Sequence, residues 1–297
     1  METERAYAKV NLCLYVVGQR DDGYHFLESL VVFAGVSDVL TATPADALSL
    51  TVTGPKAAGV PSDSTNLVLR AAKRLQELRG VKDGAQITLE KHLPHGGGIG
   101  GGSADAAAAI RLLARLWNVA PLRSWEASAL GADVPVCLVS PNPTVMRGIG
   151  DELSPAPKLP KGWLVLVNPG VHVSTPLVFK EFDAGYGPSS HGLEPFPNGA
   201  SPLAHEDFAI WLLGQRNDLT KVVAEAKFAP VIQAEILPRL RKAKGCMDTD
   251  MSGSGSTCWA WFAREADAVA AAAELSTDHP EWWIVAAPVL DRKPALS

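Results

Sequence analysis

Apolar and polar positions along this chain switch repeatedly between the two periods that mark strands and helices. Residues 6–17 alternate and predict a strand, and Gln19-Arg-Asp-Asp-Gly23 predicts a turn. β-prone runs follow at 28–43 and 48–53. Residues 66–78 have helical spacing, with Ser64-Thr65 available to cap the start and Gly80 to end it. A strand over 85–90 leads into the densest glycine cluster of the chain, then into an alanine-rich helix over 104–117. A short helix over 125–130 is predicted to stop at Gly131, and 136–139 reads as a strand. The Pro-rich stretch 153–161 predicts a linker. Beyond it come a buried-type strand at 163–168, an exposed loop at 183–201, and helices at 206–213, 219–225 and 231–243. The last stretch reads loop (252–256), strand (257–262), helix (266–275) and strand (282–289). No repeats occur, and the mixture predicts an α+β protein of two domains, residues 1–155 and 156–297.

Composition narrows the function classes. A length of 297 residues, 47% hydrophobic and 20% charged, fits a globular protein with a sizeable core and excludes disordered, collagenous and coiled-coil chains. The net charge of −5 disfavours a non-specific nucleic-acid binder, so no nucleic-acid partner is expected. A phosphate ligand needs only local donors and remains open. None of Cys13, Cys137, Cys246 and Cys258 forms a C-x-x-C pair, which removes support for zinc or thioredoxin-type chemistry. The first residues carry no apolar leader pattern, and no stretch approaches ~18 uninterrupted apolar residues. The expectation is a cytoplasmic protein with reduced cysteines and no membrane partner. The sequence leaves the oligomeric state open.

Positions 96–102 read Gly-Gly-Gly-Ile-Gly-Gly-Gly. Six glycines in seven positions carry a high entropic cost, tolerated where backbone must come very close to something. The run sits between a strand and a helix predicted to start at Ser103, where unpaired N–H groups and the helix dipole favour an anion such as a polyphosphate. A Walker A loop is excluded because Ser103-Ala104 stands where Lys-Ser/Thr is needed. The dinucleotide pattern G-x-G-x-x-G matches at Gly96, Gly98 and Gly101, but so glycine-rich a run matches it almost inevitably. A flexible linker is disfavoured by the tight strand–helix context. A second cluster, Ser252-Gly-Ser-Gly-Ser-Thr257, suggests another backbone wall around the same ligand.

Lys9 lies in an otherwise apolar strand, where a lysine is most often a solvated edge residue, and Asn11 shares its face. Asp133 is held between Gly131 and Pro135, where a turn-capping role is the plain reading. With these residues in view, the chain resembles the galactokinase–homoserine kinase–mevalonate kinase–phosphomevalonate kinase (GHMP) superfamily. Three motifs appear in order: Ala8-Lys-Val-Asn-Leu12, Pro94-His-Gly-Gly-Gly-Ile-Gly-Gly-Gly-Ser103 and Ser252 to Thr257. The likeness sharpens at Asp22-Gly-Tyr-His-Phe-Leu-Glu-Ser29 and Gly131-Ala-Asp-Val-Pro135, and extends to Thr175-Pro-Leu-Val-Phe-Lys180 and Asn217-Asp-Leu219. Those segments are similar to the branch that phosphorylates 4-diphosphocytidyl-2-C-methyl-D-erythritol in non-mevalonate isoprenoid synthesis.

The resemblance implies a two-domain fold: an N-terminal domain with a mixed sheet and helices, a smaller C-terminal α/β domain, and an active site in the cleft between them. It implies an ATP-dependent kinase, with Mg²⁺, acting on the 2-hydroxyl of that acceptor. Asp133 matches the catalytic base and Lys9 its electrostatic partner. Pro94, Gly96, Gly97, Gly98, Ile99, Gly100, Gly101, Gly102 and Ser103 match the ATP phosphate loop, and Asn66 and Lys91 match positions near adenine. Tyr24 and Phe179 match the aromatic pair that sandwiches cytosine, and His25 matches the residue that reads its edge. Asn11, Thr175 and Lys180 match positions near the phosphates and hydroxyls of the acceptor. The chain departs from many relatives in having Ser103-Ala104 rather than two serines, which removes one hydroxyl.

Three rivals frame the reading. A mevalonate or homoserine kinase on the same scaffold leaves Tyr24-His25 without a base to engage. A non-catalytic nucleotide-binding module has no need of Lys9 and Asp133, and a dinucleotide-binding protein wants repeated βαβ patterning that this chain lacks. The other histidines show no paired metal-ligand spacing and receive no role.

Overall fold

The computed structural model describes residues 1–197, 203–225 and 228–291. They form two compact units that interleave along the chain. One comprises Met1–Ala8, Val36–His95 and Gly100–Ser140, and the other Lys9–Gly35, Gly96–Ile99 and Pro141–Ser297. Strand β1 (Glu2–Asn11) therefore starts in the first unit and ends in the second, and the long strand β3 (His25–Ala45) does the reverse.

In the first unit the second half of β3 pairs antiparallel with β5 (Gly84–Glu90), and β4 (Ser49–Thr53) pairs parallel with β5, which gives the mixed sheet expected from the sequence. Helix α1 (Leu67–Arg79) packs against α2 (Gly101–Leu116), which in turn packs against α4 (Val134–Leu138). Between them lie α3 (Ser124–Ala127) and a 3₁₀ turn, Ser128–Leu130. The six alanines of α2 are all buried, and their small side chains let neighbouring helices come close.

In the second unit, β2 (Tyr15–Gln19) forms a bulged hairpin with the start of β3, and β6 (Thr144–Arg147) pairs with β3 and with β7 (Glu152–Pro155). A smaller antiparallel sheet has the order β11-β8-β10-β9, built from β8 (Trp163–Asn168), β9 (Cys246–Met251), β10 (Cys258–Phe262) and β11 (Trp283–Pro288). Helices α5 (Thr175–Gly185), α6 (His205–Leu213), α7 (Asp218–Glu225), α8 (Leu237–Lys242) and α9 (Glu265–Asp278) complete the unit. Strand β10 is buried on both faces: Cys258, Ala260 and Phe262 join the core under α7, α8 and α9, whereas Trp261 meets Phe208 of α6. Among the described residues no helix is long and apolar enough to cross a membrane.

The structure corrects several sequence expectations. Residues 6–17 form two strands, because Leu14 leaves the first to bridge Asn217. Helix α1 is capped by Asn66, whose Oδ1 accepts from Val68 N–H at 2.8 Å, rather than by Ser64 or Thr65; Gly80 ends it in the left-handed region as expected. Helix α2 begins at Gly101, inside the glycine run, with Gly100 at φ +64° as its cap, so Ser103 lies in the helix and caps nothing. Residues 136–139 are mostly helix, not strand. A short apolar run does not declare its period, and Pro135 in the first turn presets a helical φ. The expected linker starts as strand β7, with Pro155 as its last residue. The expected loop 183–201 starts inside α5; its residues 198–201 lie outside the described residues. Strand β9 was hidden by its polar sequence, Cys-Met-Asp-Thr-Asp-Met. The expected helix 231–243 holds a π turn at Ile232–Ile236 before α8, where Pro238 has no N–H to continue the regular ladder.

Candidate active site

The glycine run is held on both sides by backbone. Gly96, Gly98 and Gly100 adopt φ of +66°, +76° and +64°. Alternating left-handed residues turn successive N–H groups toward one side, the geometry of an anion nest. Within the second unit, Lys9 N–H donates to the Ile99 carbonyl and Thr257 N–H to the Gly97 carbonyl, each at 3.0 Å. The Ser252 hydroxyl donates to the Gly98 carbonyl and accepts from Asn11 N–H, both at 3.0 Å. A Cβ on Gly98 would fall 2.8 Å from both Gly255 N and Gly255 O and would also strike the Ser252 carbonyl, so no other residue passes here without displacing the second loop. That loop is supported from beneath by Asn217, whose Nδ2 donates to the carbonyls of Met251 at 2.8 Å and Gly253 at 2.7 Å.

Lys9 is buried at 3% exposure, not a solvated edge lysine. Asn11 is fully buried, and its amide orientation is determined by a relay. Ser29 Oγ donates to the Cys13 carbonyl at 2.6 Å and accepts from Asn11 Nδ2 at 2.7 Å. Asn11 Oδ1 is left as a buried oxygen without a hydrogen-bond partner among the described residues, suited to receive a hydroxyl rather than a phosphate oxygen, which is itself an acceptor. Asp133 stands at the N-cap position of α4 and makes no side-chain hydrogen bond that caps that helix.

Helix α5 gathers the residues expected near the acceptor. Thr175, its first residue, shares a 2.7 Å hydrogen bond between its Oγ1 and Ser254 Oγ of the second glycine loop. Phe179 stacks on His25 with ring centroids 4.5 Å apart, Lys180 is exposed, and Tyr24 is 58% exposed. Sequence reasoning missed Asp183, whose Oδ1 lies 2.7 Å from His25 Nε2. It also gave no role to the supports under the loops, Ser252 and Asn217. The only sequence signal for Asp183 is its spacing of one helical turn from Phe179.

In the first unit, Asn66 spends its amide on the α1 cap and on the Pro61 carbonyl at 2.6 Å. Buried Pro94 follows β5. The Lys91 ammonium is buried between the carboxylates of Asp38 and Asp105, the latter at 2.7 Å. The other Asp38 oxygen accepts the N–H groups of His92 at 2.5 Å and Leu93 at 2.9 Å. Burial disfavours the Lys91 charge, but the two carboxylates outweigh it and raise its pKa above the ordinary range. Burial pushes the Asp105 carboxyl up to about 8; Lys91 opposes this and the Asp38 carboxylate adds to it. A carboxyl whose pKa is raised by folding holds its proton more tightly when folded, so its ionisation weakens the fold as pH climbs from 3.8 toward about 8. Asp105→Asn cannot ionise, so thermal melting across that interval should show the variant losing less stability than the parent; parallel curves contradict this assignment. Asp38→Ala should cost about 3–5 kcal/mol in chemical denaturation, because it leaves the buried Lys91 ammonium with Asp105 alone and removes the acceptor of the His92 and Leu93 N–H groups.

Comparison with known proteins shows the family. Residues 66–140 match the family described as GHMP kinases N terminal domain. The chain is 52% identical over 289 residues to 4-diphosphocytidyl-2-C-methyl-D-erythritol kinase of Paramagnetospirillum magneticum, covering 96% of this chain and 97% of that one. It is 52% identical over 290 residues to the protein of the same name from a Jannaschia species, covering 97% and 98%. A crystal structure of 4-(cytidine 5'-diphospho)-2C-methyl-D-erythritol kinase superposes with a TM-score of 0.74 at 31% identity, covering 97% of this chain and 98% of the other. The chain belongs to the 4-diphosphocytidyl-2-C-methyl-D-erythritol kinase family of GHMP kinases.

Proposed function

We propose that this protein transfers the γ-phosphoryl group of ATP to the 2-hydroxyl of 4-diphosphocytidyl-2-C-methyl-D-erythritol, a cytoplasmic step of non-mevalonate isoprenoid synthesis. The observation that carries the reading is the His25–Phe179 stack, with exposed Tyr24 next to His25 in the chain, in the unit that also holds Gly96–Ile99. An aromatic and imidazole cluster suits a nucleobase, and the mevalonate and homoserine acceptors of the rival kinases have none. The free cysteines suit a reducing compartment.

Gly96 to Ile99 suit a phosphate tail because left-handed Gly96 and Gly98 have no room for a Cβ, and Gly100 to Ser103 add the N–H groups of a helix start. Asn66 and Lys91, with their polar ends spent on structural bonds, are assigned to line the adenine through backbone and aliphatic atoms. Among the described residues, no group of three or more His, Cys, Asp or Glu side chains could hold a metal ion. That suits a Mg²⁺ carried in by the nucleotide, which needs only one or two protein oxygens. When bound, Mg²⁺ neutralises phosphate charge. Along the chain, residues 1–155 are assigned the phosphate loop and the base, and 156–297 the second glycine loop and further acceptor contacts.

Phosphoryl transfer asks mainly for positioning and charge stabilisation. Asp133 is assigned to take the hydroxyl proton as the new P–O bond forms, a contribution of roughly 10²–10⁴ in rate. Lys9 is assigned to offset the negative charge that builds on that oxygen. Asn11 Oδ1 receives an acceptor hydroxyl, while Thr175 and Lys180 hold the hydroxyl and diphosphate portion.

ADP release measured with the diphosphocytidyl acceptor, mevalonate and homoserine should show turnover with the first alone; turnover with mevalonate or homoserine instead overturns the reading. In the same assay Lys9→Ala and Asp133→Ala should each lose at least about a hundredfold in kcat while still binding ATP. Unfolding of both variants would mean that these residues are structural. Tyr24→Ala and Phe179→Ala should raise the acceptor KM with little change in the ATP KM, since base–aromatic stacking is worth about 1–3 kcal/mol. An unchanged acceptor KM in both removes the sandwich.

A further inference from the structure

We propose that Asp183 is a positioning residue that fixes the proton on His25, so that the acceptor site chooses a base bearing an amino group over one bearing a carbonyl at the same place. The inference rests on the assignment of His25 to the base edge made above.

Three contacts hold the imidazole. Phe179 stacks on it at 4.5 Å with planes 20° apart, and Phe182 meets it edge-on at 6.4 Å. Asp183 Oδ1 lies 2.7 Å from its Nε2. Phe179 and Asp183 are one turn apart on α5, so a single helix face supplies both the stacking plane and the carboxylate. The stack sets the tilt of the ring, and the carboxylate sets its rotation. Gln19 Nε2 holds the other Asp183 oxygen at 3.3 Å. The His25 side chain is only 8% exposed, unlike a solvated surface pair, although Asp183 itself is 40% exposed.

A carboxylate only accepts hydrogen bonds, so His25 Nε2 must carry the hydrogen between them. In the neutral ring Nδ1 then has a lone pair and no hydrogen. A lone pair accepts from the exocyclic amino group of cytosine and repels the carbonyl oxygen that uracil carries at that position. Without the carboxylate, the proton can move to Nδ1, and the ring can then donate to a carbonyl. Asp183 thus acts on selectivity through His25 without touching the reacting atoms.

The test measures kcat and KM at pH 8 for the diphosphocytidyl acceptor and its uridine counterpart in the parent enzyme and in Asp183→Ala, Asp183→Asn, Asp183→Glu and His25→Ala. Loss of the orienting hydrogen bond should raise the cytidine-acceptor KM about tenfold in Asp183→Ala, with kcat within about twofold, and cut the cytidine-over-uridine preference by about tenfold. Asp183→Asn keeps the shape but can donate as well as accept, so it should also lose preference, a result that lost packing does not produce. Asp183→Glu should restore part of it. Preference unchanged in both Ala and Asn variants, with His25→Ala still weakening acceptor binding, overturns this proposal alone. A cytidine-acceptor KM unchanged in His25→Ala overturns the base-edge assignment and this inference with it.

Discussion

One serine hydroxyl ties the second unit together at its most expensive point. Ser252 Oγ takes the N–H of Asn11 from the end of β1 and gives its proton to the Gly98 carbonyl. Thr257 and Lys9 close the same loop through the Gly97 and Ile99 carbonyls. Ordering six glycines costs roughly 0.5–1 kcal/mol each relative to alanine. Four hydrogen bonds at about 0.5–1.5 kcal/mol each offset a comparable amount. The Gly97, Gly98 and Ile99 carbonyls are satisfied from β1 and the second loop, and the alternating positive φ values are the backbone pattern of an anion nest.

The same loop is a hub for the acceptor side. Ser254 bonds Thr175 at the start of α5, so the helix that carries Phe179, Lys180 and Asp183 is anchored to the loop that grips Gly98. Asn217 supports that loop from beneath, and its own N–H donates to Asp250 at 2.8 Å. Burial pushes the Asp250 carboxyl pKa up, and hydrogen bonds from Thr220, Met251 and Asn217 counter it. The buried polar groups here are therefore scaffold. Among the exposed apolar side chains are Tyr24 at 58%, itself assigned to the base, and Leu177 at 51%, two residues from Thr175 on α5. Exposed apolar surface of that kind is commonly retained where a ligand covers it.

Much of this was legible in the sequence because it rests on local rules. The glycine run announced close backbone approach, a β-prone run announced most of β3, a buried-type apolar run announced β8, and Gly80 announced the end of α1. The failures share a cause in long-range packing. Leu14 breaks a well-patterned strand to reach a residue some two hundred positions away. Residues 136–137 are buried apolar positions whose period is decided by Pro135 and the flank of α2. Ser252 and Asn217 lie in segments that carry the resemblance, but their bonds, to Gly98 and to the second glycine loop, join residues far apart in the sequence. Lys91 read as a ligand contact, and its two carboxylate partners come from β3 and α2. Asp183 could be noticed only once His25 and α5 were seen facing each other.

The protein's own hydrogen bonds build the phosphate cradle before any nucleotide arrives. Amide hydrogen exchange on the protein without nucleotide tests this most directly, followed at Lys9, Asn11 and Thr257, whose N–H groups grip the first loop. Slow exchange at all three, little changed by adding ATP, is the expected result. Rapid exchange that becomes slow only when ATP is added would contradict it, because the nucleotide would then be organising the cradle.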